Sequence, residues 1–207
     1  MTGGESVLEQ VTEKVPSVRS PEGFIQTEPF LSVCRLVLPV VDKLGTPFAM
    51  VKSDISGNIE RLAAKATTDP SRYSHLFVIV QDEVVAGTSA ASTSCTKGLL
   101  WLKRAMEFML AIIQATNAKP QLPLPQVVQE TYTATLMRFH GFIVSSAFTL
   151  AFRFVPTREY FVENASGGAS PEEAARQMAA LVNAFAPLLA EVHQFMVEHN
   201  LDDPSKV

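Results

Sequence analysis

The chain has 207 residues, 47% of them hydrophobic and 18% charged, enough apolar material for one well-buried core. Its formal net charge of −4, with no Lys/Arg run, excludes nucleic-acid binding by phosphate neutralisation, so no nucleic-acid partner is expected. Mean hydropathy is positive at +0.16. No uninterrupted apolar run reaches the ~20 residues of a membrane span, and the longest stretches are broken by Lys103, Arg104, Glu107, Arg153 and Arg158. Apolar material beyond what a core uses points to a cavity or a membrane-facing patch.

Residues 1–23, rich in Gly, Ser, Glu and Pro, are expected to form a flexible lead-in with a short helix over Val7 to Val15; residues 24–207 form the folded domain. From Thr27 to Leu44, Phe30, Leu31, Val33, Cys34, Val37, Leu38, Val40 and Val41 recur at three and four, predicting a helix with a kink at Pro39. A second helix is predicted from Phe48 to Ala66 on the stripe Phe48, Val51, Ile55, Ile59 and Leu62. Segment 75–86 carries β-branched residues that favour strand, but a lone hairpin among helices is poorly supported, and helix is expected. The longest helix is predicted from Ala91 to Ala118, before the loop imposed by Pro120, Pro123 and Pro125. Helical pattern resumes from Val127 to His140, from Gly141 to Phe154 and from Thr157 to Asn164. Ser170-Pro-Glu-Glu173 is a capping box that opens a last helix, bent at Pro187 and reaching about Asn200. The expected fold is all-α, with seven to nine helices in one domain.

Chemistry concentrates in few places. Asp54, Asn58 and Arg61 stand four and three residues apart, hence on one helix face. They offer acceptors, a carboxamide and a five-donor guanidinium, an array suited to a polyhydroxylated ligand. Trp101, the single tryptophan, lies four residues after Lys97 and three before Arg104; it is either core packing or a stacking platform for a sugar ring. His140 in Arg138-Phe-His-Gly-Phe is either a satisfied structural histidine or a donor to a ligand carbonyl. His75, His140, His193 and His199 lack metal-ligand spacing, and no nucleophile elbow, phosphate loop or dinucleotide fingerprint occurs. No metal, no cofactor and no enzymatic activity are expected. Cys34 and Cys95 read as buried free thiols of a reducing compartment. The N-terminal residues lack a basic region followed by an apolar run, so a cytoplasmic location is expected.

Val51-Lys-Ser-Asp54-Ile-Ser-Gly-Asn58-Ile, then Leu100-Trp101-Leu-Lys-Arg104, then Phe139-His140-Gly-Phe-Ile, in this order and spacing, resemble the glycolipid transfer protein family. Ser205-Lys-Val207 resembles the family's closing residues, and the likeness runs from about Phe24 to Val207. The resemblance implies a two-layer helical sandwich around an apolar lipid pocket, and a non-enzymatic carrier or sensor of a glycosphingolipid. On that pattern Asp54 and Asn58 hydrogen-bond the first sugar, Asp54 and His140 hold the ceramide amide, and Trp101 stacks on the sugar. Arg61 stands where the family usually has lysine. Family members that carry phosphorylated ceramide typically place a basic residue at position 58 and arginine at position 101; this chain has neither, which favours a sugar.

The alternative within the fold is an anionic sphingolipid, sulfatide or ceramide-1-phosphate, received by Lys97 and Arg104; a more distant one is a helical lipid hydrolase using Asp54 and His140. Phe30, Val37, Phe48, Ile55, Leu136, Phe148, Phe152 and Phe185 are the candidates for lining the apolar pocket. Phe142, where glycolipid-type members often have tryptophan, and Ile143 are the candidates for transient membrane contact. The chain is expected to act as a monomer.

Overall fold

The computed structural model describes residues 6–207, which form nine α-helices joined by short 3-10 turns; among the described residues the only β pairing is two isolated bridges, Arg19 with Ile25 and Gln26 with His75. The helices are α1 (Val7–Lys14), α2 (Thr27–Asp42), α3 (Ala49–Thr68), α4 (Leu76–Val85), α5 (Cys95–Ala118), α6 (Leu124–Ala134), α7 (Phe142–Ala151), α8 (Arg158–Ala165) and α9 (Pro171–Glu198). Helices α1, α2, α3, α5 and α9 close a ring in which each packs on the next, and α6 lies against α5. Phe30, Ile55, Phe108 and Phe185 are fully buried inside it. This is the all-α sandwich expected.

The helix expected over Val7 to Val15 is present, but residues 6–23 are no lead-in; residues 1–5 lie outside the described range. Leu8, Val11, Val15 and Val18 recur at three and four and are buried, so α1 seals the ring between α2 and α9. Ser6 caps α1 by accepting from the Glu9 amide at 3.3 Å, and its hydroxyl donates to Gln177 of α9 at 2.9 Å. A polar-looking composition concealed this apolar stripe.

Two further expectations are corrected. The longest helix is α9, at 28 residues, against 24 for α5. Helix α6 ends at Ala134, short of His140. There Thr131, Thr133 and Thr135 turn their hydroxyls back onto the carbonyls of Val127, Gln129 and Thr131 at 2.7–2.9 Å, side-chain bonds that compete with helix propagation. Pro39 and Pro187, where a kink and a bend are expected, sit inside α2 and α9, and both helices continue through them. Segment 75–86 is helical, as α4. Helix α9 is long and apolar enough to cross a membrane, but Met178, Leu181, Phe185, Leu189 and Val192 are buried inside the ring, where α9 packs on α5 and α1.

Candidate functional site

The start of α5 is fixed from three sides, which sets the direction of Lys97 and Trp101 in its first two turns. Ser94 is the N-cap, accepting from the Lys97 amide at 3.1 Å. Glu83 of α4 places its carboxylate on the amides of Cys95 and Thr96 at 2.8 and 2.7 Å, and on the Thr96 hydroxyl at 2.6 Å. An anion at a helix N-terminus satisfies orphan donors and complements the dipole. Arg61 of α3 donates to the carbonyls of Ser94 and Ser92 at 3.1 and 3.3 Å. Part of its fork thus anchors the loop before α5.

Gly98 lets α3 and α5 approach. A Cβ at that position would lie 3.3 Å from Arg61 Cδ and 3.7 Å from Asn58 Oδ1. Asn58 is buried and its amide donates to Asp54 Oδ2 at 3.3 Å. Asp54 stands exposed at the helix surface, yet partial burial of its carboxyl raises its pKa against the opposing hydrogen bond from Asn58 and the charge of Arg61.

His140 lies in the turn between α6 and α7, buried, its ring stacked on Trp101 at 5.9 Å between centroids and 18° between planes. Its Nδ1 is 3.0 Å from the Tyr132 hydroxyl. Burial holds the His140 pKa below the usual range, helped by the Arg104 charge, and burial raises that of Tyr132. A neutral imidazole accepting the Tyr132 proton on Nδ1 keeps Nε2–H as a donor. Phe139 stands edge-on to Trp101, and the Arg104 guanidinium lies 3.5 Å from the Phe139 ring centre and 5.0 Å from that of Trp101.

Segment 199–207 completes the wall. Gly141 N–H donates to Val207 O at 2.7 Å, and Val207 N–H donates to Phe139 O at 3.0 Å, so the backbone of Val207 is laced to both sides of His140. Buried Arg104 donates to Asp202 Oδ1 at 3.0 Å and to the Asp203 carbonyl at 2.6 Å, and Lys97 pairs with the Asp203 carboxylate. That pair holds the Asp203 carboxyl well below its usual range.

These elements surround a cavity of about 310 Å³ lined by Met50, Val51, Asp54, Trp101, Ala105, Leu136, His140, Val144, Phe148 and Val207. Asp54, Trp101 and His140, read from the sequence on three separate segments, share this cavity, with Asn58 and Arg61 beside Asp54. Of the expected pocket lining, Leu136 and Phe148 are in its wall. Phe30, Val37, Phe48, Ile55 and Phe185 instead fill the packed core, and Phe152 packs against Tyr132 and Phe148. Phe142 and Ile143 open α7 with relative exposures of 87% and 83%, and Leu150 and Phe154 follow as exposed apolar residues. Cys34 and Cys95 are free and buried, and burial pushes the Cys95 thiol up to about 11. Among the described residues no cluster of His, Cys, Asp and Glu suits a metal ion.

Sequence reasoning missed Gly98, Tyr132, Asp202, Asp203 and Val207 as parts of this site. A glycine inside a helical pattern signals close approach and marks Gly98; an aperiodic tail carries no comparable signal.

A ring of helices holding an apolar cavity, its mouth edged by a carboxylate, an indole and an imidazole, defines a helical binding protein for an amphipathic ligand. The chain belongs to the glycolipid transfer protein family, whose sequence model matches residues 25–167. It is 35% identical to Glycolipid transfer protein 1 of Arabidopsis thaliana over 198 residues, 96% of each chain. It is 38% identical over 139 residues to human Pleckstrin homology domain-containing family A member 8, covering 67% of this chain and 27% of that protein. Among solved structures it superposes with a TM-score of 0.88 at 29% identity on FAPP2, described as selecting simple glycosphingolipids with this fold, over 98% and 100% of the two chains. The apo form of mouse ceramide-1-phosphate transfer protein also gives 0.88, at 20% identity over 96% and 99%, a likeness of fold alone.

Proposed function

We propose that this chain is a non-enzymatic cytoplasmic carrier of a glycosphingolipid, binding the sugar at Asp54, Asn58 and Trp101 and the ceramide amide between Asp54 and His140, with the chains in the apolar cavity. The observation that carries this reading is the convergence of Asp54, Trp101 and His140 on one cavity whose remaining walls are apolar. Such a mouth suits an amphipathic ligand: acceptor, stacking face and imidazole donor at the rim, hydrocarbon inside. Each CH₂ withdrawn from a membrane costs about 0.8 kcal/mol in water, so a carrier must enclose the chains.

A cavity of about 310 Å³ lies at the small end of the ~300–1,000 Å³ range of ligand sites. Loading long chains therefore requires the surrounding helices to part, and α7 supplies both a wall residue, Phe148, and the exposed apolar face of Phe142 and Ile143. Membrane contact through that face would couple docking to opening.

The hydrolase reading has less support, because no hydroxyl or thiol side chain lines the cavity beside Asp54 and His140. Vesicle-to-vesicle transfer of galactosylceramide, sulfatide and ceramide-1-phosphate, followed by mass analysis of the recovered lipid, tests the proposal. Galactosylceramide is expected to move fastest and return unchanged. Preferential ceramide-1-phosphate transfer, or a cleaved product, would overturn the proposal.

A further inference from the structure

Beside the apolar cavity lies a second cleft of about 410 Å³, lined by Ser92, Lys97, Trp101, Arg104, Asp203 and Val207 among others. The two share Trp101 and Val207, so a head group leaving the first over the indole face enters the second. Lys97 and Arg104 would make this cleft a receptor for sulfate or phosphate, but both are already engaged. Lys97 is paired with Asp203, their side chains 22% and 35% exposed, and Arg104 with Asp202, at 2% and 23%. Arg138, over the outer face of Phe139 at 4.5 Å, adds a further cation nearby. Arg61 is engaged by the carbonyls of Ser92 and Ser94.

We infer that Asp203, with Asp202 behind it, acts as a charge filter: it neutralises Lys97 from within the chain, so that the cleft accepts hydroxyl-bearing uncharged head groups and rejects anionic ones. This inference rests on the glycosphingolipid reading of the same site. An anionic head group entering the cleft must displace the Asp203 carboxylate from Lys97 or lie against it, and like charges in contact repel. A neutral sugar meets a satisfied ion pair that still offers acceptors and donors to its hydroxyls. Asp203 is on this account a positioning residue that sets specificity by holding Lys97. Selectivity comes from a built-in competitor rather than from the lack of cations.

The test compares sulfatide with galactosylceramide transfer between phosphatidylcholine vesicles for wild type, Asp203→Asn, and the double variant Lys97→Met with Asp203→Asn. Asp203→Asn is expected to raise the sulfatide-to-galactosylceramide rate ratio at least tenfold, with the gain shrinking as NaCl rises through 0.1–0.5 M, because an unmasked surface cation is screened by salt. Lys97→Met in that background is expected to erase the gain. A merely structural role for Asp203 would slow both lipids together and leave the ratio alone. A ratio within twofold of wild type in Asp203→Asn, or a gain that survives Lys97→Met, overturns the inference. Exchange of the pair, Lys97→Asp with Asp203→Lys, covers the case in which the single variant does not fold: it restores a neutral cleft and is expected to keep the wild-type ratio, and a tenfold rise there also overturns the filter. A wild type that moves no galactosylceramide overturns the underlying reading, and is told apart by failing before any variant is compared.

Discussion

Substitution of Asp54 by valine separates binding from folding. The carboxylate is exposed on α3, accepts one intramolecular bond, from Asn58 at 3.3 Å, and has its pKa raised by partial burial, so the fold gains little from its charge. Losing that bond leaves the Asn58 amide short of an acceptor, costing about 1 kcal/mol, while relief of the desolvated carboxylate offsets part of it. A net change within about 1 kcal/mol moves the melting temperature of a 207-residue chain by no more than about 4 °C. The ligand loses far more. Two sugar hydroxyls donating to a carboxylate contribute about 1.5–3 kcal/mol each, so affinity falls by roughly 10² to 10⁴ at 1.4 kcal/mol per decade. Galactosylceramide transfer between vesicles and a circular-dichroism melt measure the two sides. Transfer retained within threefold, or a melt lowered by more than about 8 °C, would refute the division of labour argued for Asp54.

The remaining predictions concern docking, packing and pH. Phe142→Ser with Ile143→Ser removes two exposed apolar side chains worth about 1.5–3 kcal/mol each on burial; vesicle co-sedimentation is expected to fall at least a hundredfold, with an unchanged melt. Gly98→Leu drives a side chain into Arg61 and Asn58, where even a Cβ lies 3.3 Å from Arg61; it is expected to cost about 2–3 kcal/mol by overpacking and to abolish transfer, checked by urea unfolding. For His140, whose folded pKa is lowered by burial and by the Arg104 charge, the unfolded chain takes up the proton first. The stability due to neutral His140 is therefore complete above about pH 6.5 and lost as pH falls through the depressed folded value. The stability advantage of wild type over His140→Gln is expected to shrink between pH 7 and pH 5; an advantage growing with acidity would contradict the buried, neutral imidazole.

Much of the helical plan was legible because apolar residues repeat at three and four and prolines punctuate the loops: α2, α3 and the capped start of α9 follow from these signals alone. Helix α4 needed context, since Val78, Ile79 and Val80 favour strand and only packing among helices decides otherwise. The N-terminal helix was visible but its burial was not, because Leu8 and Val11 count as core only once α2 and α9 are in place. The site residues Asp54, Asn58, Trp101 and His140 stood out as polar or aromatic groups at helical spacing or beside apolar runs. Their convergence depends on tertiary structure, as does the engagement of Lys97 and Arg104 by Asp203 and Asp202, whose segment has no periodicity. Which phenylalanines line the cavity was not legible either: Phe30, Phe148 and Phe185 share one pattern, and packing alone puts Phe148 in the wall.

Native mass spectrometry of the protein purified from its own cells bears most directly on whether this site carries a glycosphingolipid. The account predicts one glycosphingolipid per chain, chemically intact, and its loss in Asp54→Val. A chain that carries ceramide-1-phosphate, a hydrolysed lipid or no sphingolipid, or an Asp54→Val variant that keeps its cargo, would contradict it.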